Sequence, residues 1–259
     1  MVNLKKYNVL LHHFVLFLTF LVLTGCGIQQ YTVTKVNAKQ IGITNKNAQT
    51  PAIEDFVKPY RDKLDGDLNT VLAYAPETLD KFKGEWQTTI GNLMADVTLK
   101  KGDSVFVKRQ NKHIDICLLN HGGIRAIIPK GDVTIRTAFE IMPFENSLIV
   151  IALKGEQIKE IADFMIKDKK PHPLSGMTFT IDKNGLSKNI LVNGNPLEME
   201  KTYYVGTSDY LSNGGDNMVF FKKNVGTFDM EYKLRNILID YFKEVKIVPL
   251  IDDKRIIVE

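Results

Sequence analysis

The chain has 259 residues, 44% of them hydrophobic and 25% charged, with a formal net charge of +4. That is enough apolar sequence for one sizeable core and too much for an intrinsically disordered protein. The first 25 residues carry two lysines and no acid, so the remainder carries only +2, which excludes a surface built to coat nucleic acid.

Lys5 and Lys6 precede an apolar stretch from Val9 to Leu23, and Leu23-Thr24-Gly25-Cys26 follows. A positive start, an apolar middle and a small-residue cleavage site predict a secretory signal over residues 1–25. His12 and His13 interrupt the run, which falls short of the roughly 20 residues of a membrane-spanning helix. Cysteine directly after Thr-Gly resembles a bacterial lipobox, in which Cys26 becomes the lipidated first residue. A plain secretion signal cleaved nearby is the alternative. A lipid anchor holds a protein on a membrane surface without spanning it, so the expectation is an exported bacterial lipoprotein on the cell-envelope membrane, periplasmic or outer face. Cys117 is then the remaining thiol. Its apolar neighbours predict a buried, inert side chain, and no disulfide can form within the chain.

Residues 26–50 are polar and read as a tether. Residues 51–259 carry the globular pattern. Ile53, Phe56, Val57, Tyr60 and Leu64 recur at helical spacing after Pro51, and Gly66 is expected to stop that helix. Asn69 to Ala75 predicts a strand. Ile90, Leu93, Met94 and Val97 predict a second helix, capped by Thr88 or Thr89 and ending at Lys100 and Lys101 before Gly102. Ile114 to Leu119 is a short buried strand. Asp132 to Ile135 predicts another, with a helical turn reaching Pro143. Ser147 to Leu153 is strongly apolar and predicts a buried strand.

A helix follows over Gly155 to Lys167, with Ile158, Ile161, Ala162 and Met165 inward. Met177 to Ile181 alternates as a strand, and Asn184-Gly185 and Asn193-Gly194 are hairpin turns. Tyr203 to Thr207 predicts a strand, Leu234, Ile237, Leu238 and Tyr241 one face of a last helix, and Arg255 to Val258 an edge strand. The pattern is a single α/β domain of mixed strands and helices.

Three loops concentrate chemistry. The first, Asn120-His121-Gly122-Gly123-Ile124-Arg125, ends an apolar strand in paired glycines that let backbone N–H groups approach a ligand. It adds an amide and a guanidinium fork suited to phosphate, carboxylate or ribose oxygens. The second is Met142-Pro143-Phe144-Glu145-Asn146, and the third is Tyr210-Leu211-Ser212-Asn213-Gly214-Gly215-Asp216. Each residue alone has a plain reading: a core aromatic, a turn asparagine, a solvated aspartate, a surface arginine.

In this order the three motifs resemble the C-terminal, substrate-binding domain of the 5'-nucleotidase family, which includes bacterial UDP-sugar hydrolases and animal ecto-5'-nucleotidases. The resemblance implies that family's layered α/β fold and a site made of Asn120, Gly122, Gly123, Arg125, Phe144, Asn146, Tyr210, Gly214, Gly215 and Asp216. Phe144 and Tyr210 would clamp a nucleobase, since stacking is worth about 1–3 kcal/mol per base and tolerates different bases. Asn120 and Asn146 would read the base edge, Asp216 would accept the ribose hydroxyls, and Arg125 would reach ribose and phosphate.

Two departures follow. The segment Trp86-Gln87-Thr88-Thr89-Ile90-Gly91-Asn92 lacks the phosphate-binding arginine that some members carry, which implies a weaker grip on phosphate. The family's metallophosphoesterase domain has no counterpart: His12, His13, His113, His121 and His172 are the only histidines, in no pattern that holds two metals. The expectation is therefore a nucleotide- or nucleoside-recognition half of a split 5'-nucleotidase, without catalytic residues, metal or cofactor of its own. The two divalent metals would sit in a separate metallophosphoesterase chain. A lipid-anchored nucleoside-binding module without a catalytic partner, or a scaffold whose pocket is retired, are the alternatives.

Overall fold

The computed structural model describes residues 4–23, 32–44 and 50–259. The expected lipidation site, Cys26, lies outside them. The chain forms two compact units, Met1–Pro51 and Ala52–Glu259. The first contains α1 (Leu4–Leu23), whose Leu10, Phe14, Phe17 and Phe20 are exposed. Among the described residues no helix is long and apolar enough to cross a membrane.

The larger unit opens with α2 (Pro51–Leu68), which runs through Gly66 rather than stopping there. A single glycine costs a helix about 1 kcal/mol, too little to end one alone. The apolar stripe is exposed at Ile53, Phe56, Tyr60 and Leu64, and the helix buries no residue. Next come β1 (Val71–Ala75), α3 (Thr89–Gln110), β2 (Ile116–Leu118), β3 (Gly131–Thr134), α4 (Ile135–Ile141), β4 (Ser147–Lys154) and α5 (Gly155–Asp168). They are followed by β5 (Leu174–Ser175), β6 (Met177–Ile181), β7 (Ser187–Val192), β8 (Asn195–Pro196) and β9 (Thr202–Ser208). The chain closes with α6 (Asp209–Ser212), β10 (Gly226–Lys233), α7 (Leu234–Glu244) and β11 (Ile256–Val258).

The centre is a five-stranded sheet in the order β10-β4-β9-β2-β5, in which β2 and β9 are parallel and the other pairs antiparallel. It is buried on both faces, which is why β4 reads as a continuous apolar run. Leu148 and Val150 enter one core with Leu93, Val97 and Phe106 of α3 and Ile237 and Leu238 of α7. Ile149, Ile151 and Leu153 enter a second core with Ile158, Ile161 and Met165 of α5 and Met177 and Phe179 of β6. A four-stranded sheet, β11-β6-β7-β8, flanks the second core, and β1 pairs with β3 apart from both.

The helix expected to end before Gly102 runs on to Gln110, stopping where Asn111 turns left-handed at φ 54° and its N–H donates to the Val107 carbonyl. Gly102 is a contact, not a stop. A Cβ there would sit 2.6 Å from Leu148 Cδ2 and 3.2 Å from Ile114 Cδ1, so the missing side chain lets α3 lie close on the sheet. Thr88 is the cap, accepting from the Gly91 N–H at 3.1 Å. Cys117 is fully buried, and burial pushes its thiol pKa up, as expected of an inert cysteine.

Candidate functional site

Strand direction brings the three loops together. β2 and β9 run side by side, with Cys117 opposite Gly206, so both end at the same edge of the sheet. β4 is antiparallel to β9, with Leu148 opposite Ser208, so it begins at that edge. The loop after β2, the loop before β4 and the loop after β9 therefore meet beside the carboxyl ends of a parallel pair, where open α/β sheets hold ligands. Buried Thr207 donates its hydroxyl proton to the Leu118 carbonyl at 2.8 Å, which pins the two strand ends together.

Asn120, Gly122, Gly123, Arg125, Phe144, Asn146, Tyr210 and Asp216 line one cleft of about 350 Å³, within the size range of small-molecule sites. Two aromatic rings from different loops stand at its walls, Phe144 40% and Tyr210 48% exposed. The Arg125 guanidinium lies 5.8 Å from the Phe144 ring centroid, a cation–π distance. The Asp216 carboxylate joins two loops: Asn120 donates to Oδ2 at 2.7 Å and the Tyr210 hydroxyl to Oδ1 at 2.9 Å. Each carboxylate oxygen has a second lone pair, so the group can still accept two donors from a diol.

Gly214 and Gly215 lie outside the cleft lining. Gly214 takes φ +86°, which starts the reversal that Asp216 (φ 50°) and Asn217 (φ 61°) continue in left-handed backbone. Gly215 lies under Tyr210: a Cβ there would fall 2.5 Å from the ring. These glycines shape the loop that presents Tyr210 and Asp216.

Each loop is braced from behind. The Ser208 hydroxyl accepts from the Leu211 N–H at 3.1 Å and caps α6. The Phe144 loop is gripped by the start of α7. The Leu234 N–H donates to the Asn146 carbonyl at 3.0 Å, Lys233 donates to the Glu145 carbonyl, and Arg235 pairs with the Glu145 carboxylate while stacking 4.1 Å from the Phe139 ring. The Arg235 hydrogen bond holds the Glu145 carboxyl below its ordinary pKa. In the first loop the Arg125 N–H donates to the Ile141 carbonyl at 2.8 Å, and Lys81 donates to the Ile124 carbonyl. Burial, and then the nearby Arg125 charge, lower the Lys81 pKa. Behind this loop the His121 N–H donates to His172 Nδ1 at 3.2 Å, and His172 Nε2 contacts Asp168 Oδ2 at 2.9 Å.

Sequence reasoning missed Lys81, Asp168, His172 and Arg235. All act from behind the loops and belong to no loop motif. The one legible signal was a histidine between two prolines, Pro171-His172-Pro173. Gln87 and Asn92, in the segment that lacks a phosphate-binding arginine, bond elsewhere. The Gln87 side chain accepts from the N–H of Arg255 at 2.7 Å and donates to the Asp253 carbonyl at 2.8 Å, and Asn92 donates to the same carbonyl at 3.1 Å. Both hold the C-terminal segment. Among the described residues no group of three or more His, Cys, Asp or Glu is placed to hold a metal ion, so the side chains present do not fit the two-metal centre that the family resemblance implies.

The profile of the family described as 5'-nucleotidase, C-terminal domain, matches residues 73–223, which include all three loops. The chain belongs to the 5'-nucleotidase C-terminal domain family. It is 25% identical over 239 residues to the trifunctional nucleotide phosphoesterase protein YfkN of Bacillus subtilis, covering 85% of this chain and 16% of that protein. It is 26% identical over 192 residues to the 5'-nucleotidase of Vibrio vulnificus, covering 69% of this chain and 32% of that protein. The crystal structure of a 5'-nucleotidase precursor from Thermus thermophilus superposes with a TM-score of 0.68 at 27% identity, over 79% of this chain and 42% of that one. The chain thus spans less than half the length of these relatives. The layered α/β architecture is that of the 5'-nucleotidase C-terminal domain.

Proposed function

We propose that this chain is the nucleotide- or nucleoside-recognition half of a split 5'-nucleotidase, tethered to the cell envelope through lipidated Cys26. The base lies between Phe144 and Tyr210, the ribose diol on Asp216 and the phosphate side toward Arg125, with Asn120 and Asn146 at the base edge. A separate metallophosphoesterase chain supplies the two metals and cleaves the ester. The observation that carries this reading is the cleft itself. Two exposed aromatic rings from separate loops face a carboxylate held by Asn120 and Tyr210, in a chain whose family is that of nucleotidase C-terminal domains.

A second reading, a nucleoside-binding module with no catalytic partner, draws on the charge of the cleft. Among the described residues its lining holds one base, Arg125, while Gln87 and Asn92 are committed to the C-terminal segment. Calorimetric titration of the full chain in detergent with adenosine and AMP, beside a phosphate-release assay with AMP, separates the readings. The split-enzyme reading expects both ligands to bind and the chain alone to release phosphate no faster than buffer. Metal-dependent turnover by the pure chain contradicts it. Binding of adenosine with no gain for AMP favours the second reading.

A further inference from the structure

Resting on the nucleoside reading of the cleft, we propose that His172 is its positioning residue. The His172 ring, unprotonated at Nδ1, fixes the Asn120–Gly123 turn through the His121 N–H, and protonating it releases the turn and weakens the ligand. His172 is not among the residues that line the cleft. It acts through the loop.

The geometry assigns the ring's state. His172 is 2% exposed. Its Nδ1 lies 3.2 Å from a backbone N–H that can only donate, so Nδ1 must accept. The proton therefore resides on Nε2, which donates to Asp168 Oδ2 at 2.9 Å. The Phe164 ring lies 5.8 Å away, centroid to centroid, and limits tilting. The bonded turn is the one that matters most to the site. Its first residue, Asn120, reaches across to Asp216 at 2.7 Å, so a shift of His121 moves an amide and a carboxylate of the cleft together. Gly123 makes room for that amide, since a Cβ there would fall 2.7 Å from Asn120 Oδ1.

A second proton changes the sign of the contact. Imidazolium would set an N–H at Nδ1 against the His121 N–H, donor to donor. The charges that bear on the ring are Asp168 from the end of α5, Lys170 from the following turn, His121 from the held loop and Asp216 from the third loop. Burial disfavours the cation and Lys170 adds to that, while Asp168 and Asp216 favour it. The net effect lowers the His172 pKa from 6.5. The bond is therefore intact above that value and is lost as the pH falls through the lowered, folded-state value.

Two substitutions separate acceptor from partner. In His172→Asn the side-chain oxygen can stand where Nδ1 stood and does not titrate. In His172→Gln the amide can still donate to Asp168 but no acceptor reaches the His121 N–H. The readouts on the full chain are adenosine affinity and amide hydrogen exchange of residues 121–124, each from about pH 7.5 to about pH 5, the range a histidine spans. In the wild type, affinity should fall roughly tenfold on acidification, with exchange at the turn accelerating in step, the effect of leaving a half-buried donor unpaired. His172→Asn should bind within about threefold of wild type at the upper pH with a flatter profile, and His172→Gln should bind roughly tenfold more weakly throughout.

Equal affinity for wild type and His172→Gln overturns the proposal. So does an identical pH profile in wild type and His172→Asn, which would assign the titration to a group other than His172. If the wild type binds neither adenosine nor AMP, the nucleoside reading falls, and turn exchange still decides: slow in wild type and His172→Asn but fast in His172→Gln, or the positioning role falls too. Should both His172 variants melt early, Asp168→Asn, at a 27%-exposed side chain, takes their place. Removing the carboxylate charge should move the wild-type midpoint to lower pH, and a midpoint that stays in place rejects the assignment.

Discussion

At the residue scale the site is a set of side chains whose chemistry depends on what stands behind them. Gly215 gives the sharpest case. It contributes no atom to the cleft lining, yet a Cβ would overlap the Tyr210 ring at 2.5 Å. Gly215→Ala should therefore swing a half-exposed ring without disturbing the core. Adenosine affinity should drop about tenfold, since one stacking face is worth about 1–3 kcal/mol, while the unfolding free energy changes by less than about 1 kcal/mol. Calorimetric titration beside urea unfolding measures both. The cleft residues themselves were legible because loop chemistry is local: paired glycines, an amide and an arginine follow an apolar strand. His172 and Arg235 were not, because what makes them matter is a partner 51 residues away for one and 90 for the other. No pattern along the chain encodes that.

At the scale of elements, periodicity located β4, β6, β9, α5 and α7 because each buries a defined face. It misjudged where helices end. Gly66 and Gly102 look alike in sequence, and both are passed by the helix that contains them. Gly66 is open to solvent on α2, whereas Gly102 is pressed against Leu148 and Ile114. The two should respond oppositely to a side chain. Gly66→Ala should stabilise by up to about 1 kcal/mol through helix propensity. Gly102→Val should destabilise by about 1–3 kcal/mol, the usual cost of overpacking. Denaturant unfolding of both variants tests the contrast, and equal effects would deny that α3 sits close on the sheet. β10 was passed over although its pattern is legible: Thr227, Asp229 and Glu231 are exposed while Phe228, Met230 and Tyr232 turn inward, the alternation of a half-buried strand.

At the scale of the molecule, the C-terminal segment closes the fold. Arg255, only 5% exposed, donates to Asp96 of α3 at 2.8 Å, to Asp253, and to the Leu174 carbonyl, while Gln87 and Asn92 hold the backbone on either side. Burial works to lower the arginine's pKa, but its bonds to Asp253 and Asp96 together outweigh it and raise the pKa further. Arg255→Ala should cost about 2–3 kcal/mol by leaving Asp96 and the Leu174 carbonyl without their donor. The core chemistry of the fold thus ties three distant stretches together, while the site occupies one edge of one sheet. That separation explains why the family's fold was readable from its loops, whereas the part Gln87 and Asn92 play in holding the C-terminal segment was not.

The most direct test of the nucleoside cleft is a thermal-unfolding titration of the full chain with adenosine, beside Phe144→Ala and Tyr210→Ala. A ligand at a hundred times its dissociation constant stabilises a fold by about 2.7 kcal/mol. A base-stacking cleft gives a clear upward shift in Tm for the wild type that either substitution abolishes, with the unliganded Tm little changed because both rings are partly exposed. A wild type that adenosine does not stabilise, or variants that it stabilises just as much, would contradict it.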